Sequence, residues 1–179
     1  MDVINIGAIK LIRLEVGHST DLFKLTEKNR SYLREWLPWL DNIQEERDTA
    51  EFIITSIEQY TNNNGFQAGI WFEGELVGVI GLHYINWLNR STEIGYWLDK
   101  DYQGKGIITQ ACSALIGYIF LALKLNRIEI RCATQNFKSR AIPERLGFKE
   151  EGICRDGEWL YDKFVDSVIY GLLVREAKF

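Results

Sequence analysis

The chain has 179 residues, of which 46% are hydrophobic, 13% aromatic and 26% charged, and its formal net charge is -4 at pH 7. This composition excludes an intrinsically disordered chain, and the length is that of one domain, which we place over residues 1–179. The mildly acidic balance argues against direct nucleic-acid binding, which needs a basic surface, and is compatible with an amine-bearing partner.

The cysteines and the apolar segments indicate where the protein works. Cys112, Cys132 and Cys154 lack metal-ligand spacing, so we expect free thiols in a reducing compartment and no bound metal. The first residues lack the basic segment and apolar stretch of a signal peptide. The mostly apolar run Ala111–Leu123 is shorter than the ~17–25 residues of a membrane span and predicts a buried helix. We therefore expect a cytoplasmic protein without a membrane partner.

Hydrophobic periodicity and turn residues divide the first half of the chain into one strand, two helices and a hairpin. Asp48–Glu51 has the pattern of a capping box, which predicts that the second helix begins there. The aromatic segment Tyr32–Leu40, interrupted by Pro38, predicts either a short helix packed on the core, which we favour, or one wall of a cleft. In chain order, the predicted elements are a strand over Ile9–Leu14, helices from Ser19 and from Asp48, and hairpin strands over Ala68–Phe72 and Leu76–Leu82.

The second half alternates strands with helices and short connections. Residues 127–132 alternate between apolar and polar side chains, as expected for a half-buried strand. The predicted order is a strand over Glu93–Leu98, a helix from Gly106 to Leu123, a strand over Arg127–Cys132, a helix over Ser139–Leu146, and strands over Phe148–Ile153 and Val165–Val174. This order predicts a mixed α/β domain whose helices pack on the faces of a sheet.

The turn between the strand Glu93–Leu98 and the long helix contains Gly104 and Gly106. Glycines allow backbone conformations that turn successive N–H groups to one side, and the first N–H groups of a helix lack internal partners. Such a turn binds a pyrophosphate without a basic surface. The motif of nucleotide triphosphatases is absent, and Thr109 stands where the dinucleotide fingerprint has its third glycine.

Several motifs in this half are those of a known family. Gln103-x-x-Gly106, which opens a long helix after a strand, resembles the acetyl-CoA pyrophosphate loop of the GCN5-related N-acetyltransferases, although Ile108 stands where that loop usually has glycine or alanine. Together with further motifs it resembles the Rim-type (RimJ/RimL) ribosomal-protein N-terminal acetyltransferases. These motifs are Glu93–Leu98, Gln103–Ala111, Asn136-x-x-Ser139, Leu146–Phe148, Glu151-Gly152, Asp162 and Tyr170–Leu173.

The resemblance implies an N-acetyltransferase fold. That fold is a single α/β domain with a mixed, mostly antiparallel twisted sheet, a central pair of splayed strands and helices on both faces. Acetyl-CoA, used as co-substrate, would fill the gap between the strands Glu93–Leu98 and Arg127–Cys132. The residues implied in cofactor binding are Trp97, Leu98, Gln103, Gly104, Lys105, Gly106, Ile107, Ile108, Thr109, Asn136 and Ser139.

The resemblance also implies the catalytic groups. Many members carry a tyrosine seven residues after the asparagine as acid to the leaving thiolate, but here that position is Pro143. The Rim-type pattern implies Ser139 as the acid; its position in the chain equally predicts a helix N-cap. The same pattern implies Glu158 as the base. Glu158 lies in a predicted polar turn, where a solvated loop glutamate is the alternative, and Glu93 is the second candidate for the base.

These assignments predict transfer of an acetyl group from acetyl-CoA to a primary amine by direct attack in a ternary complex. We expect the acceptor to be the N-terminal α-amine of a ribosomal or other protein, since an α-amine has a pKa of about 7.7–8.0 and lysine of about 10.4. The alternatives are a small-molecule amine, such as a polyamine or an antibiotic, and a non-catalytic acyl-CoA-binding module. Surplus aromatic residues predict an aromatic acceptor cleft or the face of a homodimer.

Overall fold

The computed structural model describes residues 3–178, which form one eight-stranded sheet with helices on both faces. The strands are β1 (Val3–Ile6), β2 (Ile9–Arg13), β3 (Phe66–Phe72), β4 (Glu75–Asn86), β5 (Ser91–Leu98), β6 (Arg127–Ala133), β7 (Lys149–Leu160) and β8 (Lys163–Leu173). The helices are α1 (Ser19–Leu33), α2 (Glu46–Thr61), α3 (Ile107–Gly117) and α4 (Phe137–Arg145). The order across the sheet is β1-β2-β3-β4-β5-β6-β8-β7, and only β5 and β6 run parallel.

The sequence of elements matches the prediction except at the start of the chain. Strand β1 was not expected, because Val3–Ile6 is too short to show a periodic pattern. It pairs with β2 through a tight turn in which Gly7 has φ 60°. The predicted hairpin between β3 and β4 is present, and both of its turn residues, Glu73 and Gly74, have positive φ. Such left-handed turns match the twist of paired strands.

Two local predictions were wrong. Helix α2 begins at Glu46, because Glu45 is its N-cap and Asp48 is the third helical residue, whose carboxylate accepts hydrogen bonds from two backbone N–H groups. Glu158 lies in strand β7 and not in a polar turn. The polar segment before Glu158 stays in the strand because the pairing of β7 with β8 shifts register between Cys154 and Glu158. The shift is a β-bulge, which places the extra residues of β7 opposite fewer residues of β8.

The apolar residues pack in two clusters on opposite faces of the sheet. The larger cluster includes the buried face of α3 and its continuation to Leu123, which confirms the predicted burial for one face of Ala111–Leu123, whereas Leu121 is exposed. Neighbouring residues Val79 and Ile80 of β4 belong to different clusters, as expected where adjacent side chains alternate between faces. Val79 packs with residues of α1 and α2. Within residues 3–178, no helix is long and apolar enough to cross a membrane.

Strands β5 and β6 diverge in the centre of the sheet. Their parallel pairing joins residues 91–93 to residues 127–129 and goes no further, although β5 continues to Leu98 and β6 to Ala133. Beyond Glu93, alternate backbone groups of β5 point towards β6 without a strand partner. The predicted mixed sheet with a central splayed pair is therefore confirmed.

Candidate active site

The loop between β5 and α3 has the geometry of an anion site. Gly104 and Gly106 have φ of 76° and 72°, a left-handed conformation that favours glycine. Gly106 is the N-cap of α3, so the N–H groups of residues 107–109 have no acceptor within the helix. A Cβ at Gly104 would meet no atom within 4 Å, so its positive φ and not a lack of space favours glycine there. Ile108 is buried, with its side chain in the core, and leaves the loop free.

The Gln103 side chain connects this loop to two helices. Its amide nitrogen donates to the hydroxyl of Tyr32 at the end of α1, and its amide oxygen accepts from Lys138 Nζ at 3.0 Å on α4. The Lys105 ammonium instead lies 4.6 Å from the centre of the Tyr102 ring. Lys105 is thus directed to an aromatic surface, and any contribution it makes to anion binding comes from its backbone.

Helix α1 also braces the start of the loop. Lys28 Nζ lies 2.7 Å from a carboxylate oxygen of Asp99 and 2.7 Å from one of Asp101, and both interactions raise the pKa of Lys28. The Asp99 side chain is only 2% exposed. Asn29 accepts a hydrogen bond from Lys100 N at 3.1 Å. These contacts were not predicted from the sequence. The residue that could have indicated them is Asn29, a polar side chain on the apolar face of α1.

One cavity of about 820 Å³ lies between this loop, α4 and the end of β5. Every predicted cofactor residue except Lys105 lines it: Trp97, Leu98, Gln103, Gly104, Gly106, Ile107, Ile108, Thr109, Asn136 and Ser139. The cavity joins the anion loop to the open edge of β5. An elongated ligand with a pyrophosphate at one end fits this arrangement.

Ser139 lies on the first turn of α4, facing the gap between the splayed strands. Asn136 is the N-cap of that helix, because its side-chain oxygen accepts from Ser139 N at 3.1 Å. The alternative prediction that Ser139 is the N-cap is therefore wrong, and its hydroxyl has no capping task. Ser139 Oγ lies 3.2 Å from Cys132 Sγ and 3.4 Å from the Tyr96 hydroxyl.

A second cavity of about 680 Å³ lies on the opposite face of the sheet, between α1, α2 and the strands. The segment that follows α1 forms its aromatic wall through Trp36, Leu37, Pro38 and Trp39. The favoured prediction that Tyr32–Leu40 packs on the core was therefore wrong for this stretch; only its two ends, Leu33 and Leu40, are buried. The Trp39 ring lies 6.5 Å from that of Trp97.

Two carboxylates, those of Glu93 and Glu158, line this second cavity, and their surroundings differ. Glu93 pairs with Arg131 at 3.2 Å, and burial raises the pKa of Glu93 against the opposing charges of His83 and Arg131. A Cβ at Gly95 would lie 2.1 Å from His83 Nε2, so the glycine leaves room for the imidazole over β5. Burial, with the charge of Glu93, raises the pKa of Glu158. Within residues 3–178, Glu158 has no ion-pair partner.

The two cavities meet in the gap between β5 and β6. The residues that line both are Trp36, Leu37, Tyr96, Trp97, Asn136 and Ser139. Ser139 therefore stands at the junction, and Glu158 stands on one side of it. In the part of the chain that the structure describes, no group of three or more His, Cys, Asp or Glu side chains is arranged to hold a metal ion.

Comparisons with known proteins agree with this geometry. The family profile described as the acetyltransferase (GNAT) domain matches residues 9–149. A putative ribosomal N-acetyltransferase of Bacillus subtilis, YdaF, is 44% identical over 164 residues, covering 91% of this chain and 90% of its own length. The ribosomal-protein-serine acetyltransferase of Escherichia coli is 34% identical over 167 residues, covering 93% of each. The solved structure of RimL, a ribosomal L7/L12 alpha-N-protein acetyltransferase in complex with coenzyme A, has a TM-score of 0.94 at 26% identity, covering 97% of this chain and 98% of that one.

Proposed function

Because the chain belongs to the GNAT acetyltransferase family and is an acetyl-CoA-dependent N-acetyltransferase, we propose that its acceptor is the N-terminal α-amine of a protein. A ribosomal protein is the first candidate, since YdaF and RimL are named for such substrates. The observation that carries the proposal is the meeting of two unlike cavities at Ser139, one ending in an anion loop and the other containing Glu158.

The residues divide the work of binding between them. The backbone of residues 103–109 binds the pyrophosphate, with the dipole of α3 adding to the attraction. The unpaired edge of β5 at Trp97 and Leu98 hydrogen-bonds the pantetheine arm as a neighbouring strand would, and Asn136 caps α4 beside it. An N–H of that edge faces the thioester carbonyl and stabilises the negative charge that develops on its oxygen.

Glu158 and Ser139 move the protons. Glu158 accepts a proton from the acceptor ammonium and leaves a neutral amine for direct attack in a ternary complex. As the C–N bond forms and the C–S bond breaks, Ser139 Oγ donates its proton to the leaving thiolate. Ser139 regains a proton from the acetylated nitrogen, so the step balances without a covalent enzyme intermediate. Glu93 is already paired with Arg131 and takes no part in the proton transfer.

The charge of the acceptor cavity favours an α-amine over a polyamine. Glu93 and Glu158 are its acids, and Arg131 offsets one of them. Apart from His83, the other lining residues are uncharged, and they include an aromatic wall at Trp36 and Trp39. A polyamine carries further ammonium groups, and each would need a carboxylate or water in place of this apolar wall. One positive charge followed by uncharged groups is the better match.

The proposal extends to the setting of the enzyme. We place the whole chain, residues 1–179, in one catalytic domain that works in the cytoplasm, where ribosomal proteins are made, without binding nucleic acid directly. Trp159 and Phe164 on the β7–β8 hairpin are 52% and 57% exposed and stack edge to face at 4.8 Å, which supports a homodimer through this hairpin. Sedimentation equilibrium of the wild type and of Trp159→Ser tests the dimer.

The acceptor is tested by release of free thiol from acetyl-CoA over a matched panel of amines. The panel contains short peptides with a free N-terminus, the same peptides with a blocked N-terminus and an internal lysine, and spermidine. We expect turnover of the peptides with a free N-terminus, and rates at least about tenfold lower with the blocked peptides and with spermidine, because only the α-amine is appreciably neutral near pH 7. Preferred turnover of spermidine would overturn the proposed acceptor.

A further inference from the structure

Pro143 lies in the interior of α4, four residues after Ser139. In an α-helix the N–H of a residue donates to the carbonyl four positions earlier, so this position would normally bind the Ser139 carbonyl. Proline has no N–H, and the Ser139 carbonyl loses its helical donor. The Tyr96 hydroxyl donates to that carbonyl at 3.0 Å instead. A side chain of β5 thus completes the hydrogen bonding of α4 across the gap.

This bond determines what the Tyr96 hydroxyl can do. Its proton is directed to the Ser139 carbonyl, so the phenol oxygen accepts a long hydrogen bond, 3.4 Å, from Ser139 Oγ; the serine gives up this bond when its proton passes to the thiolate. Cys132 Sγ lies 3.2 Å from Ser139 Oγ. Burial raises the pKa of Tyr96 well above its ordinary value, and the phenol keeps its proton. These contacts confine Ser139 Oγ to the junction of the two cavities.

We propose that Tyr96 and Pro143 are positioning residues for Ser139. Pro143 withholds the N–H that would occupy the Ser139 carbonyl, and Tyr96 takes that place and fixes the serine hydroxyl in the gap. The proposal rests on the role given to Ser139 in the proposed function. It also explains why a proline at position 143 is useful to the enzyme. Loss of the Tyr96 hydroxyl removes the donor to the Ser139 carbonyl and one of the two contacts that hold Ser139 Oγ.

The kinetic test uses Tyr96→Phe, Ser139→Ala and the double variant, with Tyr84→Phe as a control on β4 outside both cavities. We expect Tyr96→Phe to lower kcat about tenfold or more, with the KM for acetyl-CoA changed less than about twofold, because misplacement of a reacting group affects turnover first. In the Ser139→Ala background, Tyr96→Phe should lower kcat by less than about twofold, because a residue that acts through Ser139 then has no hydroxyl to position. Independent, multiplying effects would overturn the inference.

The structural test uses Pro143→Ala, which restores an N–H at the helical position. Tyr96→Phe alone should lower the Tm, and Pro143→Ala should recover most of that loss in the Tyr96→Phe background, because the new N–H satisfies the Ser139 carbonyl. The kcat of the double variant should stay low, because Ser139 Oγ still lacks the Tyr96 hydroxyl beside it. Equal effects of Pro143→Ala on the Tm in both backgrounds would overturn the inference, whatever their sign.

The two proposals fail differently. If Ser139→Ala leaves kcat unchanged, Ser139 is not the proton donor, and this inference falls with that part of the proposed function. If Ser139→Ala lowers kcat and Tyr96→Phe matches the Tyr84→Phe control, the proposed function stands and the positioning role of Tyr96 is overturned.

Discussion

Replacing Glu158 by glutamine removes the proposed proton acceptor while keeping the size of the side chain. A positioned general base contributes about 10²–10⁴-fold, so we expect kcat/KM for the acceptor to fall by about 100-fold at pH 7. The variant must then rely on acceptor molecules that are already neutral. For an α-amine of pKa about 7.8, these are about one in seven at pH 7 and nearly all at pH 9. The defect should therefore shrink about sevenfold, to about 15-fold, over that range.

The same substitution should make the protein more stable at pH 7. Burial and the charge of Glu93 raise the pKa of Glu158, so the folded protein binds this proton more tightly than the unfolded chain. Stability then falls as the pH rises from the ordinary glutamate value, about 4.3, through the raised value, and above it the penalty is complete. Glutamine avoids the penalty. The Tm of Glu158→Gln should exceed that of the wild type at pH 7, and the difference should vanish near pH 4 and below.

Thiol release at saturating acetyl-CoA measures the rate, and thermal unfolding at both pH values measures the stability. Calorimetric titration should give an acetyl-CoA Kd within about twofold of the wild type, because Glu158 lines the acceptor cavity and not the cofactor cavity. Glu75→Gln, the same change at an exposed hairpin residue, serves as the control. An unchanged rate would remove Glu158 from the mechanism. A slow variant with a lowered Tm would refute the electrostatic reasoning.

Three further substitutions test other parts of the site. Gly106→Asp adds a carboxylate to the loop proposed to bind the pyrophosphate. Like charges about 5 Å apart near a protein surface repel by about 3 kcal/mol, so titration should show acetyl-CoA binding about 100-fold weaker. Gly106→Asn, which tolerates the same φ, should weaken binding only a few-fold, and equal losses would exclude the charge effect. Trp39→Ala should raise the acceptor KM about tenfold at an unchanged acetyl-CoA Kd, and a change confined to the Kd would contradict the separation of the cavities. Lys28→Met leaves the buried Asp99 carboxylate without its cation. It should lower the free energy of unfolding in urea by about 1–2 kcal/mol and weaken acetyl-CoA binding. Lys24→Met, on the exposed face of α1, should change neither.

The parts of the site that could be predicted from the sequence are encoded locally. The conformation of the anion loop depends on Gly104, Gly106 and the start of one helix, all within a few residues. The turn at Glu73 and Gly74 and the alternating strand β6 are local in the same sense. In each case the residues that determine the structure are neighbours in the chain, so composition and spacing are enough to find it.

The contacts that hold these parts together join distant segments and leave little trace in the sequence. Gln103 and Tyr32 are 71 positions apart, as are Lys28 and Asp99. The strand around Glu158 could not be predicted because its polar residues resemble a turn, and only pairing with β8 keeps it extended. Trp36 resembled a core residue because periodicity detects an apolar surface without telling whether protein or substrate covers it.

The aromatic wall and the proposed proton-transfer groups belong to different stretches of the chain. The wall comes from the connection between α1 and α2, whereas Ser139 and Glu158 come from α4 and β7. Of that connection, the part from Pro38 to Ile43 lines the acceptor cavity and not the cofactor cavity, so substitutions there can change the choice of acceptor while Ser139 and Glu158 stay in place. For protein engineering, residues 38–43 are therefore the natural segment to exchange between homologous enzymes when a new amine is wanted.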